Sequence, residues 1–287
     1  MLLLSAILVY IKHLVNIERR LRTIEGYKSD LEFWRSCLER QFNAPVELSD
    51  LNEESTSGFL LWLKQERNYK PASRRRIAAT IKGFLAFIYI QKWIDVNLAE
   101  SVPKIKVPDT EREYLLPQQV KEWVETVQHD VVKVAMWLMY YAGLRISEAI
   151  KLKMDSIVIE ENGNGWIDIK DSKGGKSRRV PLAPKLIPIL QDYYTWRTDS
   201  PCLLATEKTG TISPGTIQSE MREARRKLGW PDGITPHTLR HSFASHVYQK
   251  TGDILVVSRL LGHAKLSTAQ VYAHIHEDQI TSAVKVF

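Results

Sequence analysis

Residues 99–113 read AESVPKIKVPDTERE, and this stretch separates two kinds of text within the 287-residue chain. Pro103 and Pro108 each remove a backbone donor and restrict the residue before them, so the stretch is expected to be extended. Before it, the sequence reads as helix throughout; after it, helices are interrupted by three short strand-like runs. The predicted fold is therefore mainly α. A helical domain spans residues 1–100, a linker spans 101–113, and an α+β domain with a small antiparallel sheet spans 114–287.

Working back from the linker, Tyr27, Leu31, Trp34 and Leu38 fall at i, i+4, i+7 and i+11, one stripe of a helix over about 24–42. Asp50 and Glu53 resemble a capping box that opens a second helix carrying Phe59, Leu60 and Leu63. A third begins after Pro71 and turns Ile77, Ile81, Leu85 and Ile88 toward a core, with Arg74, Arg75 and Arg76 crowding its first turns. The opening MLLLSAILVYI is about half the ~20 residues a membrane span needs and is read as part of a buried first helix.

Working forward, a helix is expected over about 117–127. An apolar helix over 131–142 follows and stops at Gly143. Strands are expected at 156–160, 166–170 and 178–182, joined by ENGNG and DSKGGKS, with helix from Pro184 onward. In GITPHTLRHSF, residues 233–243, Thr235 suits a helix cap and Pro236 the first helical position, so His237 and Arg240 share a face. A helix N-terminus favours an anion, and these two side chains add donors, which makes a phosphate clamp. A capping turn with solvent-exposed polar residues fits the same letters.

Composition narrows the function class. Apolar residues make up 44% and charged residues 25%, which excludes disordered, collagen-like and coiled-coil chains. The net charge of +7 is concentrated in two places. Residues 67–82 hold six bases and no acid, and residues 170–179 hold five bases against Asp171 alone. Such patches suit a phosphate backbone, although either alone also fits a solvated face. Cys37 and Cys202 form no close pair, so neither a disulfide framework nor a zinc ribbon is indicated and a reducing, cytoplasmic setting fits.

Six of the eight histidines lie in the last 51 residues. His237 and His241 have the spacing of a zinc pair, but Thr238 stands where a zincin places its glutamate and no acidic third ligand is near, so no metal site is expected. His246 is read as a surface or packing residue. Tyr272, nine residues after His263, is a candidate nucleophile, because basic neighbours can stabilise a phenolate that is otherwise too rare near neutral pH.

Four boxes then stand in order: AGLRISEAIKL (142–152), SKGGKSRRVPL (172–182), HTLRHSFASHVYQKTGDILVVSRLLGH (237–263) and LSTAQVYAHI (266–275). Together they resemble the tyrosine recombinases, and among these the Xer type. The helical N-terminal region also resembles the core-binding domain of that family. The resemblance implies a site-specific recombinase that cuts and rejoins duplex DNA through a 3'-phosphotyrosyl bond, without metal, ATP or other cofactor. It implies Arg145 and Arg240 on the non-bridging phosphate oxygens and His237 and His263 as assistants in proton movement. Lys173 is the implied general acid, with Lys176 as its competitor, and Tyr272 the nucleophile. Glu148 matches a structural acid and is left out of the catalytic set.

The resemblance further implies a homotetramer acting on two inverted-repeat core sites. Ile280, Val284 and Phe287 recur at i, i+4 and i+7 and suit either docking on a neighbouring subunit or packing on their own domain. Lys70, Arg74, Arg75, Arg76 and Lys82 are expected to grip DNA from the first domain, and Lys176, Arg178 and Arg179 from the second. The implied roles are resolution of chromosome or plasmid dimers or transposon cointegrates, or integration, with or without accessory proteins. Alternatives are a type IB topoisomerase-like relaxing enzyme, a non-catalytic DNA-binding accessory protein and a metal-dependent nuclease.

Overall fold

Helix caps and apolar stripes account for most of the elements in the computed structural model, which describes residues 1–108, 113–170, 177–208 and 210–262. The chain divides into two units, Met1–Thr110 and Glu111–Phe287. The first is built from α1 (Leu3–Asn16), α2 (Leu21–Phe42), α3 (Glu53–Gln65) and α4 (Pro71–Ile90). Its core is formed by Trp34, Leu31 and Leu38 of α2 against Leu63 of α3 and Ile77, Ile81, Leu85 and Ile88 of α4. Only one face of α1 is buried. Leu3, Ile7, Tyr10 and Leu14 face the core while Leu4, Leu8 and Val15 are exposed, so the expected buried first helix is amphipathic in its setting.

Two expectations shift. The cap of α3 is Asn52, whose Oδ1 accepts from the Ser55 N–H at 2.9 Å. Asp50 instead accepts from the Glu47 N–H at 2.8 Å, closing a short 3-10 turn over Leu48–Asp50. The first core also continues past residue 100, because Val102 is buried within it and Ile105 packs against it. Apolar residues beside the prolines can join the core, which composition alone does not reveal.

The second unit surrounds α6 (Asp130–Tyr141), an apolar helix packed by α5 (Pro117–Thr126), α7 (Ile146–Lys151), α8 (Leu186–Trp196), α9 (Pro214–Lys227) and α10 (Pro236–Thr251). α11 (Ile254–Leu261) packs on α10. Gly143 takes φ +62° to end the α6 segment, a conformation that costs a side-chain-bearing residue. α10 starts as the sequence suggests: Pro236 is its first residue, and Thr238 Oγ1 accepts from the Thr235 N–H at 3.0 Å. The segment between α8 and α9 is not helical; Leu203 N donates to Leu152 O at 2.8 Å and Lys153 bridges Cys202.

β1 (Ile157–Ile159), β2 (Gly165–Ile169) and β3 (Arg178–Pro181) form an antiparallel sheet in the order β1-β2-β3. The register pairs Ile167 with Val180, Asp168 with Arg179 and Ile169 with Arg178. Side chains alternate faces along a strand, so Arg178 shares the inward face of Val180 while Arg179 points the other way. Among the described residues, no helix is long and apolar enough to cross a membrane.

Candidate active site

Glu148 organises the site. It lies on α7, three residues after Arg145, and its Oε2 accepts from the Arg145 N–H at 2.9 Å while Oε1 accepts from Arg145 Nη1 at 2.7 Å. Arg178 reaches the same carboxylate from β3 with both terminal nitrogens, at 3.0 and 2.8 Å. Arg240, in the first turns of α10, approaches Oε2 at 3.5 Å. Its Nη1 also donates to Gly143 O at 2.5 Å and its Nη2 to Leu261 O at 2.7 Å.

Burial pushes the Glu148 carboxyl up. The Arg178 hydrogen bonds, the Arg145 backbone N–H and the charges of Arg178 and Arg240 outweigh it and hold the pKa down at about 2. Three guanidiniums therefore share one carboxylate in a largely enclosed setting. Such a surplus of positive charge favours an incoming anion, because charge taken out of water is costly unless matched.

Arg145 and His237 meet at a pocket of about 350 Å³ that is also lined by Thr235, Gln218, Arg222 and Arg225. Arg145 keeps 26% of its side chain exposed and faces this space, whereas Arg240 is buried behind it and connects to Arg145 through Glu148. His237 and Arg240, expected on one face, thus divide between exposed pocket wall and interior. A larger pocket of about 910 Å³, lined by His129, Trp196 and Lys208 among others, contains none of the expected site residues. Lys173, Lys176, His263, Tyr272 and the tail residues Ile280, Val284 and Phe287 lie outside the described residues.

The expected DNA-gripping residues separate into three groups. Lys70, Arg75 and Lys82 are exposed. Arg74 donates from Nε to Tyr69 O at 3.2 Å. Arg76 pairs with the buried Asp30, which also accepts from Thr80 Oγ1 at 3.0 Å, so it has a structural partner within the bundle. Arg179 is exposed but forms a two-point pair with Asp168, at 2.8 and 3.0 Å, and stacks over Trp166.

Arg178, expected to grip DNA, lies inside the second unit. Only 8% of its side chain is exposed, and strand alternation turns it to the inward face of β3, where Glu148 and Leu260 O hold it. Sequence reading also passed over Gln218 and Arg222. Their helix α9 carries four bases, but Glu220 and Glu223 interleave with them and leave a net charge of only +2, weaker than in the other patches.

Among the described residues no group of three or more His, Cys, Asp or Glu side chains is placed to hold a metal. His241 is buried in α10, and His246 packs between Tyr114 and Tyr140, with its Nδ1 3.0 Å from the Tyr140 hydroxyl.

Residues 113–279 match the family model described as "Phage integrase family". The chain is 35% identical over 276 residues to tyrosine recombinase XerA of Pyrococcus furiosus, covering 88% of this chain and 94% of that protein. Among solved structures, a lambda integrase(75-356) dimer bound to a COC' core site superposes with a TM-score of 0.78 at 20% identity, covering 93% of this chain and 97% of that one. A lambda integrase tetramer bound to a Holliday junction superposes with a TM-score of 0.76 at 20% identity, covering 92% and 78%.

Proposed function

The chain belongs to the phage integrase family and is a tyrosine recombinase acting in site-specific DNA recombination; from that premise we propose how its own residues carry the reaction. Tyr272 Oη attacks the scissile phosphorus in line and gives up its proton to a nearby base. A 3'-phosphotyrosyl bond forms as the bond to the 5' oxygen breaks. Lys173 delivers a proton to that oxygen, and the strand leaves with a free 5'-hydroxyl. The phosphotyrosyl link conserves the bond energy, so a different 5'-hydroxyl can attack it and rejoin the strands without ATP. His237 and His263 hydrogen-bond the phosphate and assist proton movement.

The observation that carries this reading is the placement of Arg145 and Arg240 around the Glu148 carboxylate, beside a pocket that His237 also lines. Preorganised cations aimed at the equatorial oxygens of a phosphoryl transition state are the expected catalytic device. The substrate is duplex DNA with inverted-repeat core sites, on which the chain acts as a homotetramer. A lambda integrase dimer bound to a core site and a lambda integrase tetramer bound to a Holliday junction support DNA binding and assembly. Lys70, Arg75 and Lys82 form the backbone-gripping face of the first unit, with Arg74 and Arg76 beside them. Lys176 and Arg179 serve the second. The recombinase names of the relatives favour strand exchange over topoisomerase-like relaxation, and the setting is cytoplasmic.

A duplex selected by the wild-type protein from a randomised library, then nicked to trap the intermediate, supplies the test. In EDTA the wild type forms a covalent protein–DNA adduct and Tyr272→Phe forms none. An adduct that survives the Phe substitution, or that requires added metal, would overturn the reading.

A further inference from the structure

The side chain that holds the arginine cluster together is one the sequence assigned to DNA. Arg178 places every observed bond inside the protein: two to Glu148, and one from Nε to Leu260 O at 3.0 Å. The next carbonyl, Leu261 O, accepts from Arg240. Two guanidiniums therefore cap consecutive carbonyls at the C-terminal end of α11, where free acceptors and the helix dipole favour cations. Packing tightens the same joint. Gly262 follows with φ +65°, and a Cβ there would lie 2.8 Å from Arg178 Cδ.

We propose that Arg178 is a positioning residue for strand cleavage: from β3 it occupies Glu148 and the end of α11, so that Arg145 and Arg240 keep their aim on the scissile phosphate. The inference rests on the reading of those two arginines as phosphate holders. The physical argument is competition. A buried carboxylate must be matched by donors. Arg178 supplies two aligned charge-assisted bonds that no DNA contact needs. Without them Glu148 turns to its remaining neighbours, Arg145 and Arg240, and draws their donors away from an incoming anion. Arg178 directly follows the DSKGGKS segment that holds Lys173, Glu148 lies three residues after Arg145, and Leu260 lies three residues before His263, so one side chain links the chain segments of three of the six catalytic candidates.

The experiment uses the full chain, the selected nicked duplex, and single-turnover cleavage at saturating DNA, normalised to the fraction of protein able to form adduct. Arg178→Lys keeps the charge but loses the two-point geometry. It is expected to slow cleavage by roughly tenfold to a hundredfold, the scale of a sub-ångström to ångström misplacement of catalytic groups. DNA affinity and its salt slope stay at wild-type values. Placed on Glu148→Gln, the same substitution costs much less, because the carboxylate it controls is gone.

Wild-type cleavage by Arg178→Lys would overturn the inference. So would weaker binding with a shallower salt slope and normal cleavage at saturation, which is the signature of a direct phosphate contact. An undiminished loss on Glu148→Gln would overturn it as well. Arg178→Met, which also removes the charge, should be slower still; if it does not fold, the Lys variant and the cycle decide alone. A wild type that forms no Tyr272-dependent adduct would bring down the functional reading itself, whereas a normal wild type with fast Arg178 variants brings down only this inference.

Discussion

At the scale of single residues, Glu148 shows how a charge excluded from the catalytic set can govern it. Its pKa of about 2 lies below the ordinary 4.5, so its pairing stabilises the fold fully above about pH 4.5, and that contribution fades as pH falls toward 2. The depression corresponds to about 3 kcal/mol. Glu148→Gln should lower the unfolding free energy at pH 7 by about that amount, and the acid-side decline between pH 4.5 and 2 should become shallower than in wild type. Urea titrations of both proteins across that range check this, and parallel slopes would show that Glu148 is not the charged centre. The three-residue spacing of His237 and Arg240 marks them in the sequence, whereas Arg145 stands out only through the family resemblance of its box. The sequence also held a clue to Arg178: once Val180 faces inward, alternation turns Arg178 inward too. Net charge hid it, because a count of bases does not distinguish an arginine that meets solvent from one that meets a buried carboxylate.

At the scale of elements, period and caps made most helices readable, with α10 starting at the proline the sequence marks and α6 ending at Gly143. The cap of α3 was not, because Asp50 and Asn52 both precede the helix and only the backbone path decides which one faces its N-terminus. Helix α4 shows the same ambiguity among its arginines. Arg75 is exposed, while its neighbour Arg76 pairs with the buried Asp30. If α4 lies on the DNA backbone, Arg75→Ala should reduce the salt slope of binding by about 0.9. It should change stability by less than about 0.5 kcal/mol. Arg76→Ala should do the reverse, costing about 1 kcal/mol by leaving Asp30 with only Thr80, a value kept low because the arginine is half exposed. Salt-dependent gel shifts and urea unfolding separate the two; equal salt slopes would remove Arg75 from the interface.

At the scale of the whole molecule, the net charge of +7 is modest, and the grip on DNA depends on where bases gather. A protein that must find one site, join other copies there and leave gains from that arrangement: local contacts fix each subunit, and contacts between subunits supply the rest. The tail is the chain's own candidate for the second kind. Ile280, Val284 and Phe287 recur at i, i+4 and i+7 over the last eight residues, a spacing that on a helix would give one apolar stripe for a surface to cover. If a neighbouring subunit provides that surface, removing residues 279–287 leaves the first binding event intact and weakens the second. On a selected duplex with two half-sites, the truncated chain should occupy one half-site at the wild-type concentration. Filling the other should need about tenfold more protein, the size of a modest coupling energy. Coincident titrations of full-length and truncated chains on the second half-site would mean that the stripe packs on its own domain, and cooperation would then have to come from the helical units.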